Sequence, residues 1–306
     1  MNDFSYSHER RASGKRNRAI LATTTLLALP LLASTGHADE IKWKPVLDAR
    51  VRYENVDQTG FTKYADALTA RLRAGIEASL GDFAILVEAE GTLPITEHYN
   101  STTNGKAAYP VVADPENAEL NRLQIQYTGF TETTVTVGRQ RINIADQRFV
   151  GSVGWRQNEQ TFDAVRVESK ALGPLTADVT YSWSDRTIFG YDSAIKSIRG
   201  DNFFATLGGS VGILKLDGFA FLVDQNEPSR LQFSSQTYGL RAATEFTLAE
   251  DTKLALTASY ARQSDWKDNP NSYKADYWLA DAALTLGKIG INANYEILGA
   301  DAGAAF

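Results

Sequence analysis

Leu68-Thr69-Ala70-Arg71-Leu72-Arg73-Ala74-Gly75-Ile76-Glu77-Ala78 puts an apolar residue at every second position, with charged or small polar residues between. A period of two belongs to a β-strand, because successive side chains leave opposite faces of an extended chain. About this many residues cross a bilayer as a tilted strand. The same two-sided pattern appears upstream in Leu47-Asp48-Ala49-Arg50-Val51-Arg52-Tyr53-Glu54, and downstream in Leu175 to Trp183, Tyr238 to Leu248 and Ile289 to Ile297.

Counting weaker segments, residues 47–297 hold thirteen candidate strands: 47–54, 68–78, 83–93, 121–128, 133–137, 164–171, 175–183, 203–211, 213–223, 237–248, 253–261, 277–286 and 289–297. In Phe219 to Val223 and Tyr277 to Ala283 the parity slips, and a bulge would account for each. Links after even-numbered segments are tight, as in Gly81-Asp82 and Gly287-Lys288, whereas those after odd-numbered segments are longer and rich in Asn, Asp, Gly and Pro. Short turns at one end and long loops at the other describe a transmembrane antiparallel β-barrel of an outer membrane. Tyr53, Tyr127, Tyr181, Trp183, Tyr238, Tyr260, Trp278 and Tyr295 sit on apolar faces near strand ends, where interfacial aromatic girdles lie. A soluble sandwich would turn its apolar face inward and fill it with large side chains. Here that face is rich in alanine.

The first 38 residues read as a signal peptide. A basic lead (Arg10, Arg11, Lys15, Arg16, Arg18) precedes an apolar run to Ser34 and the small residues Gly36-His37-Ala38, with cleavage expected before Asp39. Removal of five basic and two acidic residues would move the formal charge from −6 to −9. So acidic a chain is a poor nucleic-acid binder. With no cysteine, there is no disulfide framework, thiolate metal site or Cys nucleophile. Residues 39–306 are treated as one barrel domain.

Thirteen strands leave the chain at the long-loop side, whereas bacterial barrels close with an even number. The tail from Leu298 to Phe306 also lacks the alternation of a closing strand. A barrel that is C-terminally incomplete in this chain is therefore expected.

On the inward face, eleven basic residues stand against eleven acids, so the averaged wall is not electropositive. Arg50, Arg52, Arg71 and Arg73 fall close together on the first two strands, and Arg139, Arg141, Arg148 and Arg156 lie in and around the third long loop. Such clusters need acids or an anionic ligand to answer them. Both readings stand: an anion site, or arginine-to-carboxylate ladders that stiffen the wall. Arginine's planar fork suits carboxylates, which makes a uronate polymer or an organic acid a sensible guest. Ile142, Ile144, Phe149, Val150, Val153 and Trp155 make the loop too apolar for free solvent, so it is expected to fold back and narrow the pore. Trp155 could touch sugar there, with packing of the loop as its principal expected role.

The run VGRQRINIADQRFVGSVGWRQNEQTFDAVRVES, following RVRYENVDQ and ALTARLRAGIEASLGDFAILVEAEG, resembles the alginate export family, and the resemblance extends over most of residues 39–306. It implies a monomeric barrel of about eighteen strands passing an anionic polysaccharide through an arginine-lined constriction. By motif position the carried-over residues are Arg139, Arg141, Arg148, Arg156 and Asp163; Arg71 and Arg73 join the substrate-binding set from the strand pattern. Arg50, Arg52, Glu77, Glu88, Glu90, Arg122, Asp163, Arg166 and Arg241 are the expected pore-lining residues.

Partners would be outer-membrane lipid and, further, periplasmic export machinery; no cofactor or metal is called for. The alternatives are an uptake porin for small organic acids or oligosaccharides and a lipid-active barrel enzyme. The enzyme has little support: no Gly-x-Ser-x-Gly, His-Glu-x-x-His or phosphate-binding loop occurs, and His98 is the one histidine after residue 38.

Overall fold

The computed structural model describes residues 40–305. The expected signal peptide and its cleavage site lie outside the described residues. Thirteen strands follow one another in a single antiparallel meander: β1 (Lys42–Val56), β2 (Ala65–Leu80), β3 (Phe83–Pro94), β4 (Asn117–Phe130), β5 (Thr133–Gln140), β6 (Thr161–Leu172), β7 (Leu175–Arg186), β8 (Ser197–Val211), β9 (Leu214–Val223), β10 (Ser235–Ala249), β11 (Thr252–Asp265), β12 (Lys274–Leu286) and β13 (Ile289–Leu298). Each expected segment is found, most of them extended towards the long-loop end. All six tight links contain two residues, and the long ones run from eight to twenty-two. Gly81, Gly173, Gly212 and Gly287 take positive φ in four of the tight turns, a conformation that glycine reaches without a Cβ clash.

The sheet is open. Among the described residues β1 pairs only with β2 and β13 only with β12, in keeping with the expected incomplete barrel. A short hairpin, β14 (Ala300–Asp301) with β15 (Ala304–Ala305), follows β13 and had no sequence signal.

Cross-strand register fixes which side chains share a face. On one face Tyr53 pairs with Leu68, Leu72 with Ala49, Ile125 with Ile85 and Val137, and Trp278 with Tyr260 and Ile297. This face is exposed, with Leu47 at 74% and Val51 at 68%. The opposite face carries the charge yet is the buried one, with Arg71 and Arg73 at 6% and Glu88 at 1%. A water-soluble protein rarely shows so large an apolar patch, whereas a barrel in lipid must. All eight expected girdle aromatics belong to the outward, apolar face.

The two expected bulges are absent. Register runs unbroken through residues 219–223 and 277–283, and the apparent slip arises because Phe219, Phe221 and Tyr277 are apolar residues in the inward row. They are apolar because a loop packs on them, as described next. A register break does occur at Glu88/Ala89, where Asn121 and Arg122 of β4 together oppose one residue of β3. This turns two consecutive polar side chains towards Glu88.

Candidate functional site

The loop between β5 and β6, residues 141–160, lies against the inward face. Its first half is apolar: Ile142, Ile144 and Val150 form a buried cluster with Phe162, Ala164, Phe204 and Phe221 of β6, β8 and β9. Phe149 meets Phe219 at 5.2 Å and Tyr277 of β12 at 5.3 Å between ring centroids. Asp146 accepts a hydrogen bond from Arg241 of β10, and Arg148 stands 3.3 Å from Glu296 of β13. The loop's second half is polar and docks on β1, β2 and β4, so one twenty-residue segment spans the inward face from β13 to β1.

That polar half is held by arginines. Arg50 donates to the Gln157 side chain (2.9 Å) and to the backbone carbonyls of Gly154 (2.9 Å), Trp155 (3.2 Å) and Arg156. Arg71 and Arg73 both reach the Gln157 carbonyl at 3.4 Å. Gln157, fully buried, also donates to the Thr69 hydroxyl (2.8 Å), and its backbone N–H donates to Asp114 (3.0 Å). Glu159 is the second anchor. It accepts two bonds of 2.7 Å from Arg141 and one of 2.6 Å from Asn121, with Arg73 at 3.2 Å. Burial works against the charge of Arg141, and the bonds and charge of Glu159 more than offset it, holding that guanidinium above its ordinary range.

A second loop, residues 95–116, supports the first. Tyr99 and Val112 pack on Ala65 and Ala67 of β2, and the Tyr99 hydroxyl donates to the Asp114 carbonyl at 2.8 Å. Burial pushes that phenol up in pKa. Asp114 is thereby placed to accept from Arg52.

The remaining expected residues fall as follows. Arg52 and Arg156 share Glu54; Arg71 pairs with Asp48 and Arg73 with Glu90. Arg122 makes a two-pronged contact with Glu88 (2.8 and 2.6 Å), as Arg166 does with Asp178 (2.9 and 2.6 Å). Glu77 is inward, opposite Lys44.

Arg139 and Asp163 need correction as lumenal residues. They are cross-strand partners, and Arg139 also pairs in register with Leu123, which puts both in the outward row. Arg139 holds Asp163 at 2.8 and 3.1 Å and donates to the Leu120 carbonyl, near the long-loop end of the sheet. The physical reason is that β5 runs on to Gln140, so the row Val135, Val137, Arg139 continues outward past the expected strand end.

The arginine cluster is thus answered mainly by carboxylates. Seven arginines (50, 52, 71, 73, 122, 141, 156) face six acids (48, 54, 88, 90, 114, 159). The odd cation is Arg50, whose four donor contacts all go to neutral oxygens among the described residues. Asp114, Gln157, Glu159 and Asn121 were missed in the sequence. Apart from Arg141 to Glu159, 18 residues apart, their side-chain contacts span 33 to 107 residues, beyond any local pattern.

Comparison with known proteins bears on this arrangement. Residues 46–183 match the alginate export family. The match runs from within β1 to within β7 and takes in the docked loop. No curated protein matches the chain. Solved structures share the fold at low identity: OccD3 (OpdP) of Pseudomonas aeruginosa at 12% (TM-score 0.61, 86% of this chain and 59% of that one), and OccK8 (OprE) of the same organism at 14% (0.65, 83% and 68%). OccAB1 of Acinetobacter baumannii matches at 14% (0.63, 88% and 69%). The chain spans about three fifths of the length of OccD3. The two-sided strands, the alginate export match over residues 46–183 and the fold shared with these structures agree on a β-barrel of the outer-membrane type.

Proposed function

We propose that the protein is an outer-membrane channel for an anionic polysaccharide or related anionic saccharide, with the loop 141–160 as its constriction. The carrying observation is that loop's course across the inward face, bringing Arg141, Arg148 and Arg156 to the interior beside Arg50, which makes no ion pair among the described residues. Because nearly every arginine has an acid partner, attraction for an anion is graded rather than overwhelming. The carboxylates of a polymer can exchange for Glu54 or Glu296 on partly exposed arginines without leaving a bare buried charge. A chain of alternating partners lets an anion enter and leave, which conduction requires. The alginate export match supports a saccharide guest. The protein's role in this reading is passage.

The test is the reversal potential of the full-length protein in planar bilayers under a salt gradient. Anion preference is expected, and Arg148→Gln with Arg156→Gln should move it towards cations. A cation-preferring wild-type pore overturns the reading.

A further inference from the structure

Trp155 is 60% exposed although the residues on either side of it in the loop are tied down. Arg50 holds the carbonyls of Gly154, Trp155 and Arg156, so the backbone that carries the indole is fixed from below. The Arg52 guanidinium carbon lies 4.1 Å from the indole centroid and that of Arg156 lies 4.9 Å away. With both guanidinium groups in place the residue still keeps 60% of its surface open. Packing of the loop, the principal role expected from sequence, falls instead to Ile142, Ile144, Phe149 and Val150.

The charge beside the ring is also incomplete in a useful way. Arg156 commits one amino nitrogen, Nη1, to Glu54 at 3.2 Å; its Nε and Nη2 have no acceptor among the described residues. Arg50, next along the β1 inward row from Arg52, donates to neutral oxygens and makes no ion pair among the described residues. A rigid aromatic face next to unsatisfied guanidinium donors fits a guest that is flat and apolar on one side and anionic at its edge. A pyranose ring bearing a carboxylate has that form: its axial C–H bonds make an apolar face, and its carboxylate sits at the rim.

We propose that Trp155 and Arg156 form a stacking subsite for one hexuronate unit of a polymer, the pyranose face on the indole and the carboxylate on Nε and Nη2 of Arg156. This rests on the channel reading above and adds to it a named stopping point. Arg52 holds the ring and Arg50 holds the backbone, so both are positioning residues.

The experiment records block of single-channel current by a short oligohexuronate, for the full-length wild type and for Trp155→Ala, Trp155→Phe and, as control, Trp266→Phe, a tryptophan in the loop between β11 and β12. Each dwell time is taken against that variant's own open current. The blocked state should end about tenfold sooner in Trp155→Ala, the loss of roughly one stacking contact. Trp155→Phe should fall between, because a smaller face remains, and Trp266→Phe should match the wild type. A neutral oligomer of equal length should dwell less long on the wild type. Equal dwell times in wild type and Trp155→Ala overturn the subsite, as does an anion-preferring wild type that the oligohexuronate does not block. A cation-preferring wild type overturns the channel reading itself.

Discussion

Replacing Glu159 by glutamine should release the second half of the 141–160 loop. The carboxylate is 1% exposed and receives three hydrogen bonds, at 2.7, 2.7 and 2.6 Å, with a further cation at 3.2 Å. An amide keeps the shape but removes the charge, and it turns an N–H donor towards the donors of Arg141 or Asn121. Charge-assisted bonds contribute about 1.5–3 kcal/mol each, and breaking a buried pair by neutralising one partner costs about 3–5 kcal/mol. Taking about 4 kcal/mol against the docked state, the population of undocked loop rises roughly a thousandfold. The apolar half of the loop would stay in place, because Ile142, Ile144 and Val150 remain buried on β6, β8 and β9. What opens is the segment from Val153 to Gln160. Single-channel recording should show a larger and noisier open current for Glu159→Gln, and limited proteolysis should cut between Gly154 and Gln160 where the wild type resists. Wild-type conductance together with wild-type protease resistance would refute the reasoning.

Four further outcomes follow from the same geometry. Arg139→Gln should leave ion preference unchanged while Arg148→Gln shifts it, because Arg139 faces outward; reversal potentials of the two variants check this. Leu72→Arg, in the middle of the outward row of β2, should cost about 2–4 kcal/mol of folding free energy in lipid, read from denaturant titrations in vesicles. Phe221→Ala removes a ring 4% exposed beneath the loop and should cost about 3–5 kcal/mol, seen as a lower unfolding midpoint with the barrel still formed. His98→Ala should behave as the wild type in a detergent assay with phospholipid substrate, neither protein releasing fatty acid; hydrolysis lost with His98 would revive the barrel-enzyme alternative.

Much of the wall was legible because a barrel in lipid obeys one periodicity for its whole length. Leu68 to Ala78 states that rule, and the tight turns repeat it at one end. The inward loop was legible as well: Ile142, Ile144 and Phe149 are too apolar for solvent, and the inward Phe219, Phe221 and Tyr277 are the other half of the same signal. Read singly they looked like bulges; read together they are a docking surface. What could not be read was partner choice. Glu159 meets Asn121 across 38 residues and Gln157 meets Thr69 across 88, and only the docking of the loop on the wall brings them together. The side taken by Arg139 depended on whether β5 stops at Val137 or continues, a difference of a few residues at a strand end. Between an anion site and stiffening ladders, the arginines divide: Arg122 and Arg166 are ladder members, Arg50 and Arg156 keep charge or donors to spare.

The uptake alternative differs from the polymer channel in what it passes. Block by a monomeric uronate as strong, per residue, as block by an oligomer favours uptake of small acids; a steep rise with chain length favours the polymer. The most direct measurement uses liposomes carrying the full-length protein and loaded with a labelled polyuronate and a neutral glucan of equal length. The polyuronate is expected to leave faster, and faster by a smaller ratio in Arg148→Gln with Arg156→Gln. Equal release of the two polymers, or faster release of the neutral one, would contradict the account.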